Sequence, residues 1–285
     1  MQDSSLDGLR IGCVPYLNAR PLVWGIEDRV TFEVPSLLAD RFAAGEYDVA
    51  LLPVFEAFRQ PKAAIVEGVS ISCVGAVRSV ILAHCEPLES LSTIALDPSS
   101  RTSSNLLRIL LAERYHIAPR FTIRPDEPGG TGVPPMFGGM LPSAMPCAQT
   151  GGTPVPLASE ATEPLGARLI IGDPALDFQN KRPPGWHILD LGQSWHEWTG
   201  LPFVFAVWTL RAGLRDSDAV AEALRTTAAA GCSARREIAA SEPDPAAALD
   251  YLTTNIRYGL GEREKLAMAR FRGLLEIHGL LPPTP

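Results

Sequence analysis

The sequence predicts an α/β protein in which mostly parallel sheets, flanked by helices, are divided between two lobes. Three observations point there. Residues 9–53 alternate short apolar runs with helical segments through brief connections, the rhythm of a parallel sheet covered on both faces. A second unit of the same kind opens near Thr93. The apolar runs at 9–14 and 48–52 each close on a proline region, as buried strands do when a loop follows their C-terminal ends.

In chain order, 9–14 reads as a strand, 19–26 as a short helix and 31–34 as a second strand. A helix over 37–44 follows, with Ser36 as N-cap, Leu38 and Phe42 stacked four apart, and Gly45 just past the end. Strands are expected at 48–52, 69–74 and 79–83. The second unit runs from the strand 93–96 through Asp97-Pro98-Ser99-Ser100-Arg101-Thr102-Ser103 into a helix carrying Leu106, Leu107, Leu110 and Leu111 on one side. Strands at 121–124 and 168–171 continue it. Between them, residues 128–156 hold seven prolines and seven glycines with no apolar period, which predicts a mobile insertion loop at about 127–160. Strands at 186–191 and 203–210 and helices at 217–239, 244–254 and 262–278 complete the chain; Ala267, Phe271, Leu274, Leu275 and His278 share one face of the last. The expected division is lobe one from 1–90 and 192–285, and lobe two from 91–191.

The net charge of −7 and the lack of a Lys/Arg stripe argue against a nucleic-acid partner. An acidic chain repels anions at long range, so an anionic ligand must be held by local donors. No basic segment followed by an apolar one opens the chain, and no run approaches the roughly 18–20 apolar residues of a membrane span. The five cysteines are scattered and never paired as CxxC, which reads as reduced thiols in a cytoplasmic protein. There is no Walker loop, GxGxxG turn, GxSxG elbow or HExxH, and the five histidines lack metal-ligand spacing, so neither cofactor nor metal is expected. Glu56 and Asp97 stand as isolated acids. The sequence carries no signal of oligomeric state.

Three loops lie where an open sheet places its ligand, beyond strand C-terminal ends. In the first, after Pro15, come Tyr16, Asn18 and Arg20. Asn18 both donates and accepts, and Arg20 offers a planar fork to a carboxylate; capping of the next helix explains Asn18 equally well. In the second, Ser100, Arg101, Thr102 and Ser103 crowd a helix start, where free N–H groups, the dipole and the hydroxyls favour an anion. Capping needs one such residue, and the surplus points to a ligand. The third is Gly172-Asp173-Pro174, where Asp173 alone reads as a cap. Ser79, opening a strand beside Arg78, is unremarkable by itself.

Val14-Pro15-Tyr16-Leu17-Asn18-Ala19-Arg20-Pro21-Leu22 resembles the opening of the chorismate dehydratase family. The Ser99–Ser103 loop, the strand end Ile170-Ile171-Gly172-Asp173, and the segments 199–208 and 251–258 resemble that family too, in the same order along almost the whole chain. The Pro/Gly-rich segment departs from it by its length. The resemblance implies a two-lobed type II periplasmic-binding-protein-like fold that closes on chorismate, a small dicarboxylate, and removes water to give 3-[(1-carboxyvinyl)oxy]benzoate, a lyase step on the futalosine route to menaquinone. It further implies catalytic positions at Asn18 and Ser79, with Tyr16, Arg20, Ser100, Arg101, Thr102, Ser103, Gly172 and Asp173 around the substrate. Two alternatives remain. A sister dihydroxynaphthoate synthase resembles this fold but carries a histidine where this chain has Gly172-Asp173, and lacks the opening nonapeptide. A non-catalytic solute-binding protein for a small carboxylate would usually carry an export signal.

Overall fold

In the computed structural model, which describes residues 4–123 and 166–282, the chain first lays down β1 (Ile11–Cys13) and β2 (Val30–Phe32), joined by a 3₁₀ turn at Leu17–Leu22. The insertion expected at 127–160 lies outside the described residues. Helix α1 (Pro35–Ala43) starts one residue before the anticipated cap. Proline, with φ already set and no N–H to lose, takes the first helical position, so Ser36 is inside the helix instead of capping it. Gly45, at φ +79°, ends it as expected. Then come β3 (Val49–Pro53), α2 (Val54–Phe58) and β4 (Ala64–Cys73).

The chain now crosses into a second sheet with β5 (Val80–His84), β6 (Thr93–Leu96), α3 (Arg101–Ile109), β7 (Arg120–Ile123), β8 (Ala167–Ile171), α4 (Asp173–Asn180) and β9 (His187–Asp190). It returns through α5 (Leu191–Thr199) to β10 (Phe203–Leu210), followed by α6 (Ser217–Ser233), α7 (Arg235–Ala240), α8 (Pro245–Asp250) and α9 (Glu262–Ile277).

The two sheets repeat one plan. Strand order is β2-β1-β3-β10-β4 in the first and β7-β6-β8-β5-β9 in the second. In each, the fourth position holds a reversed strand, and that strand is the first laid down after a crossing. Val80 pairs with Ile171 and Ile81 with Asp190, so β5 belongs to the second sheet. The first crossing therefore precedes Val80, and the boundary expected near residue 90 moves forward. β5, apolar but for its terminal His84 and buried along its length, fits the centre of either sheet, which is why its sequence did not reveal which.

Burial follows the same logic. All five residues of β3 are buried, as a central strand covered on both faces requires. Leu106, Leu107, Leu110 and Leu111 are at most 1% exposed, seating α3 on the second sheet. Trp195 of α5 packs edge-on against Phe203 of β10 and Phe271 of α9, with ring centroids 5.2 and 6.1 Å apart. That aromatic knot fixes the return crossing, and each large apolar side chain buried there stabilises by about 1.5–3 kcal/mol. Among the described residues, Cys13, Cys73 and Cys232 are free thiols. Cys85 is disulfide-bonded, so the reading of five reduced cysteines does not hold for it. Among the described residues, no helix is long and apolar enough to cross a membrane.

Candidate active site

A cleft of about 550 Å³, counted to its open mouth, lies between the sheets at the C-terminal ends of β1, β3, β6 and β8. Seven of the ten expected site residues line it: Tyr16, Asn18, Ser79, Ser100, Thr102, Ser103 and Gly172. Apolar walls come from both sheets, among them Leu51, Pro53, Val80 and Phe205. Among the described residues, none that lines it carries a full charge.

One end of the cleft is the start of α3. Ser100 caps the helix, accepting from the Ser103 N–H at 3.3 Å and donating to Ser103 Oγ at 2.8 Å. Thr102 Oγ1 accepts the Phe55 N–H from α2, across the cleft, at 3.2 Å. All three residues are at least 95% buried. Their oxygens are engaged as acceptors, so the Thr102 proton and that of Ser103 are left to donate. The first helical N–H groups have no intrahelical partner. The result is a buried, neutral, donor-rich pocket at the positive end of a helix.

The other end holds Asn18 and Ser79. Asn18 does not cap a helix: it sits inside the 3₁₀ turn, and its Nδ2 donates to the Tyr251 hydroxyl at 3.1 Å. Ser79, 1% exposed, stands beside the same hydroxyl. Asn18 Oδ1 and Ser79 Oγ are both buried without a hydrogen-bond partner. A buried unpaired polar atom costs about 1–3 kcal/mol, and two facing one cleft mark where a ligand would repay that cost. Ser79 is held by the crossing itself. The Asp190 carboxylate, capping α5 through the Gln193 N–H, also takes the N–H groups of Val77 and Arg78 at 3.1 and 2.7 Å. Arg78 is thereby kept in left-handed backbone, φ +62°, which non-glycine residues rarely adopt. Burial pushes the Asp190 carboxyl up, against those hydrogen bonds.

Tyr16 is seated by Gly172. That glycine, at φ +67°, would place an added Cβ 2.6 Å from the Tyr16 ring, so only glycine admits both the turn and the contact. Burial and the nearby Asp97 charge keep the Tyr16 phenol neutral.

Three expected site residues lie elsewhere. Arg20 faces outward, pairing with Glu242 at 2.6 Å and Ser241 at 3.1 Å. A 3₁₀ turn has about three residues per turn, so positions 18 and 20 cannot share a face. Arg101 points away from the cleft and bridges Asp40 at 3.1 Å and the buried Glu56 at 3.0 Å, both from the first sheet's side. Glu56, which the sequence left isolated, also holds Arg59 at 2.9 Å. Asp173 lies behind the Tyr16 loop, where its carboxylate accepts the Leu17 N–H at 3.1 and 3.3 Å. Burial, helped by Glu242 and opposed by Arg20 and the Leu17 bond, raises that carboxyl to about 6. Arg101, Thr102 and Asp173 thus tie the lobes together around the cleft. Sequence reasoning missed Tyr251 as a site residue; its only signal was membership of the segment 251–258.

A sequence model of the family described as menaquinone biosynthesis matches residues 9–132 and 148–276. The break at 133–147 falls within the Pro/Gly-rich segment. A protein of Thermus thermophilus named chorismate dehydratase is 28% identical over 275 residues, covering 94% of this chain and 95% of its own. Among solved structures, a protein of Archaeoglobus fulgidus aligns with a TM-score of 0.67 at 14% identity, covering 96% of this chain and 98% of that one. A Candida albicans protein, described as defining a new family with the generic periplasmic binding protein fold, aligns at 0.59 and 10% identity, covering 97% and 92%. The periplasmic aliphatic sulphonate binding protein of Escherichia coli aligns at 0.57 and 14% identity, covering 96% and 88%. At such identities the structural likenesses establish the two-lobed periplasmic-binding-protein-like fold alone. The family match, which spans most of the length, carries more: this chain belongs to the menaquinone biosynthesis family.

Proposed function

We propose that the protein is a chorismate dehydratase, a carbon–oxygen hydro-lyase giving 3-[(1-carboxyvinyl)oxy]benzoate and water. The observation that carries this reading is the cleft's polar lining, which among the described residues consists of neutral groups converging from both lobes. Two unsatisfied atoms, Asn18 Oδ1 and Ser79 Oγ, face it.

The chemistry suits such a site. The ring proton to be lost is vinylogous to the ring carboxylate, so the charge left on carbon spreads into that carboxylate. Departure of the neighbouring hydroxyl with a proton then yields an aromatic ring and one water. One C–H and one C–O bond break, and aromaticity supplies the driving force. What the protein must add is preorganised donors for charge that grows on a carboxylate, in a site sheltered from water. Ser103, Thr102 and the first N–H groups of α3 fit that task. Asn18 and Ser79 suit the leaving hydroxyl. The described lining residues include no carboxylate or imidazole, and in this reading the substrate's second carboxylate is the proton acceptor.

The test is turnover: incubate the protein with chorismate and follow the aromatic enol ether by absorbance and chromatography. Tight binding without product would favour a carboxylate-binding protein. Residence in the cytoplasm is part of the same proposal, and cell fractionation tests it.

A further inference from the structure

Segment 251–258 stands apart from the cleft's lining, yet it gathers several buried polar groups. After α8 the chain widens into a single π-turn, Tyr251–Asn255. Such bulges re-aim side chains and recur at functional sites. Asn255 pins this one, donating to the Ala76 carbonyl at 2.9 Å just before Ser79. The bulge delivers the Tyr251 hydroxyl, 1% exposed, between Asn18 and Ser79.

We infer that Tyr251 is a positioning residue that sets the hydrogen-bond polarity of the Asn18–Ser79 pair so that it recognises the hydroxyl group to be lost. Its oxygen accepts one Asn18 amide N–H, which turns Asn18 Oδ1 toward the cleft as an acceptor. Its own proton then has Ser79 Oγ as its neighbour. Ser79 Oγ has no hydrogen-bond partner of its own; once it accepts that proton it donates into the cleft. One acceptor beside one donor is the complement of an alcohol, which donates and accepts at once. A carboxylate, which only accepts, does not need Asn18 Oδ1. Burial keeps the phenol protonated, so this polarity holds at any ordinary pH.

This inference rests on the dehydratase reading, and its test is arranged to separate the two. The expected result for Tyr251→Phe is a fall in kcat/KM of roughly tenfold, the scale of one lost hydrogen bond. In an Asn18→Ala background, Tyr251→Phe should cost almost nothing further, because the tyrosine acts through that amide. Tyr258→Phe, which removes another buried hydroxyl from the same segment, should leave kcat/KM alone. If Tyr251→Phe fails to fold, Asn255→Ala, which unpins the bulge that carries Tyr251 and removes no group from the cleft, should give the same loss. Additive losses, or an unchanged kcat/KM in Tyr251→Phe, would overturn the assignment. If the wild type does not turn chorismate over, the dehydratase reading falls by itself. Calorimetric titration then decides the tyrosine's role: Tyr251→Phe must weaken chorismate but not the aromatic product, which lacks the hydroxyl, and equal effects on both would refute it.

Discussion

Asp173 offers the most quantitative test of the cleft's construction. Its carboxyl is raised to about 6 in the folded protein, chiefly by burial, against an ordinary value of 3.8. Between those values the folded state binds more protons than the unfolded one. Stability contributed by this group is therefore highest at low pH and declines as pH rises through that window. A difference of two units corresponds to about 3 kcal/mol of destabilisation once the group is ionised in both states, near about pH 7.5, and about 1 kcal/mol near about pH 4.5. Asp173→Asn keeps a carbonyl oxygen for the Leu17 N–H and removes the titration. The variant should therefore melt above the wild type by about 6 °C at the higher pH and about 2 °C at the lower, taking roughly 2 °C per kcal/mol for a chain of this size. Differential scanning fluorimetry across that range reads both. A shift equal at the two pH values, or a less stable variant at about pH 7.5, would refute burial as the dominant influence on this carboxyl.

Three further outcomes are expected. Ser103→Ala and Thr102→Ala should chiefly raise KM, by roughly tenfold each, since each removes a donor to a bound carboxylate; steady-state kinetics with chorismate separates this from a kcat effect. Arg101→Met should leave Glu56 to Arg59 alone and loosen α3 from the first lobe, raising KM several-fold while kcat at saturation persists; small-angle scattering should show a larger radius for the unliganded variant. Gly172→Ala should lower both melting temperature and kcat/KM, because its Cβ collides with Tyr16 at a backbone angle that alanine resists. An alanine variant with wild-type kinetics would remove Tyr16 from the site's construction.

Much of this architecture is written locally. Apolar runs at strand period, proline at strand ends and the leucine face of α3 specify elements through short-range preferences, and those elements form where expected. The hydroxyl-rich start of α3 is legible for the same reason, since capping chemistry depends on neighbours three residues apart. What the sequence by itself determined was thus the α/β class, the repeated unit and the anion-favouring helix start. The tertiary structure alone decided which sheet receives β5, because a strand apolar in all but its last residue fits either centre. It also decided the fate of the charged residues: Arg20, read as a carboxylate fork, and Arg101, read as part of the anion site, are claimed by Glu242 and Glu56, acids distant in sequence. Tyr251 lies 233 residues from Asn18, and a hydrogen bond of that span has no local signature. The cleft is accordingly a product of packing: its donors are encoded nearby, but their orientation is set by partners that only folding brings within reach.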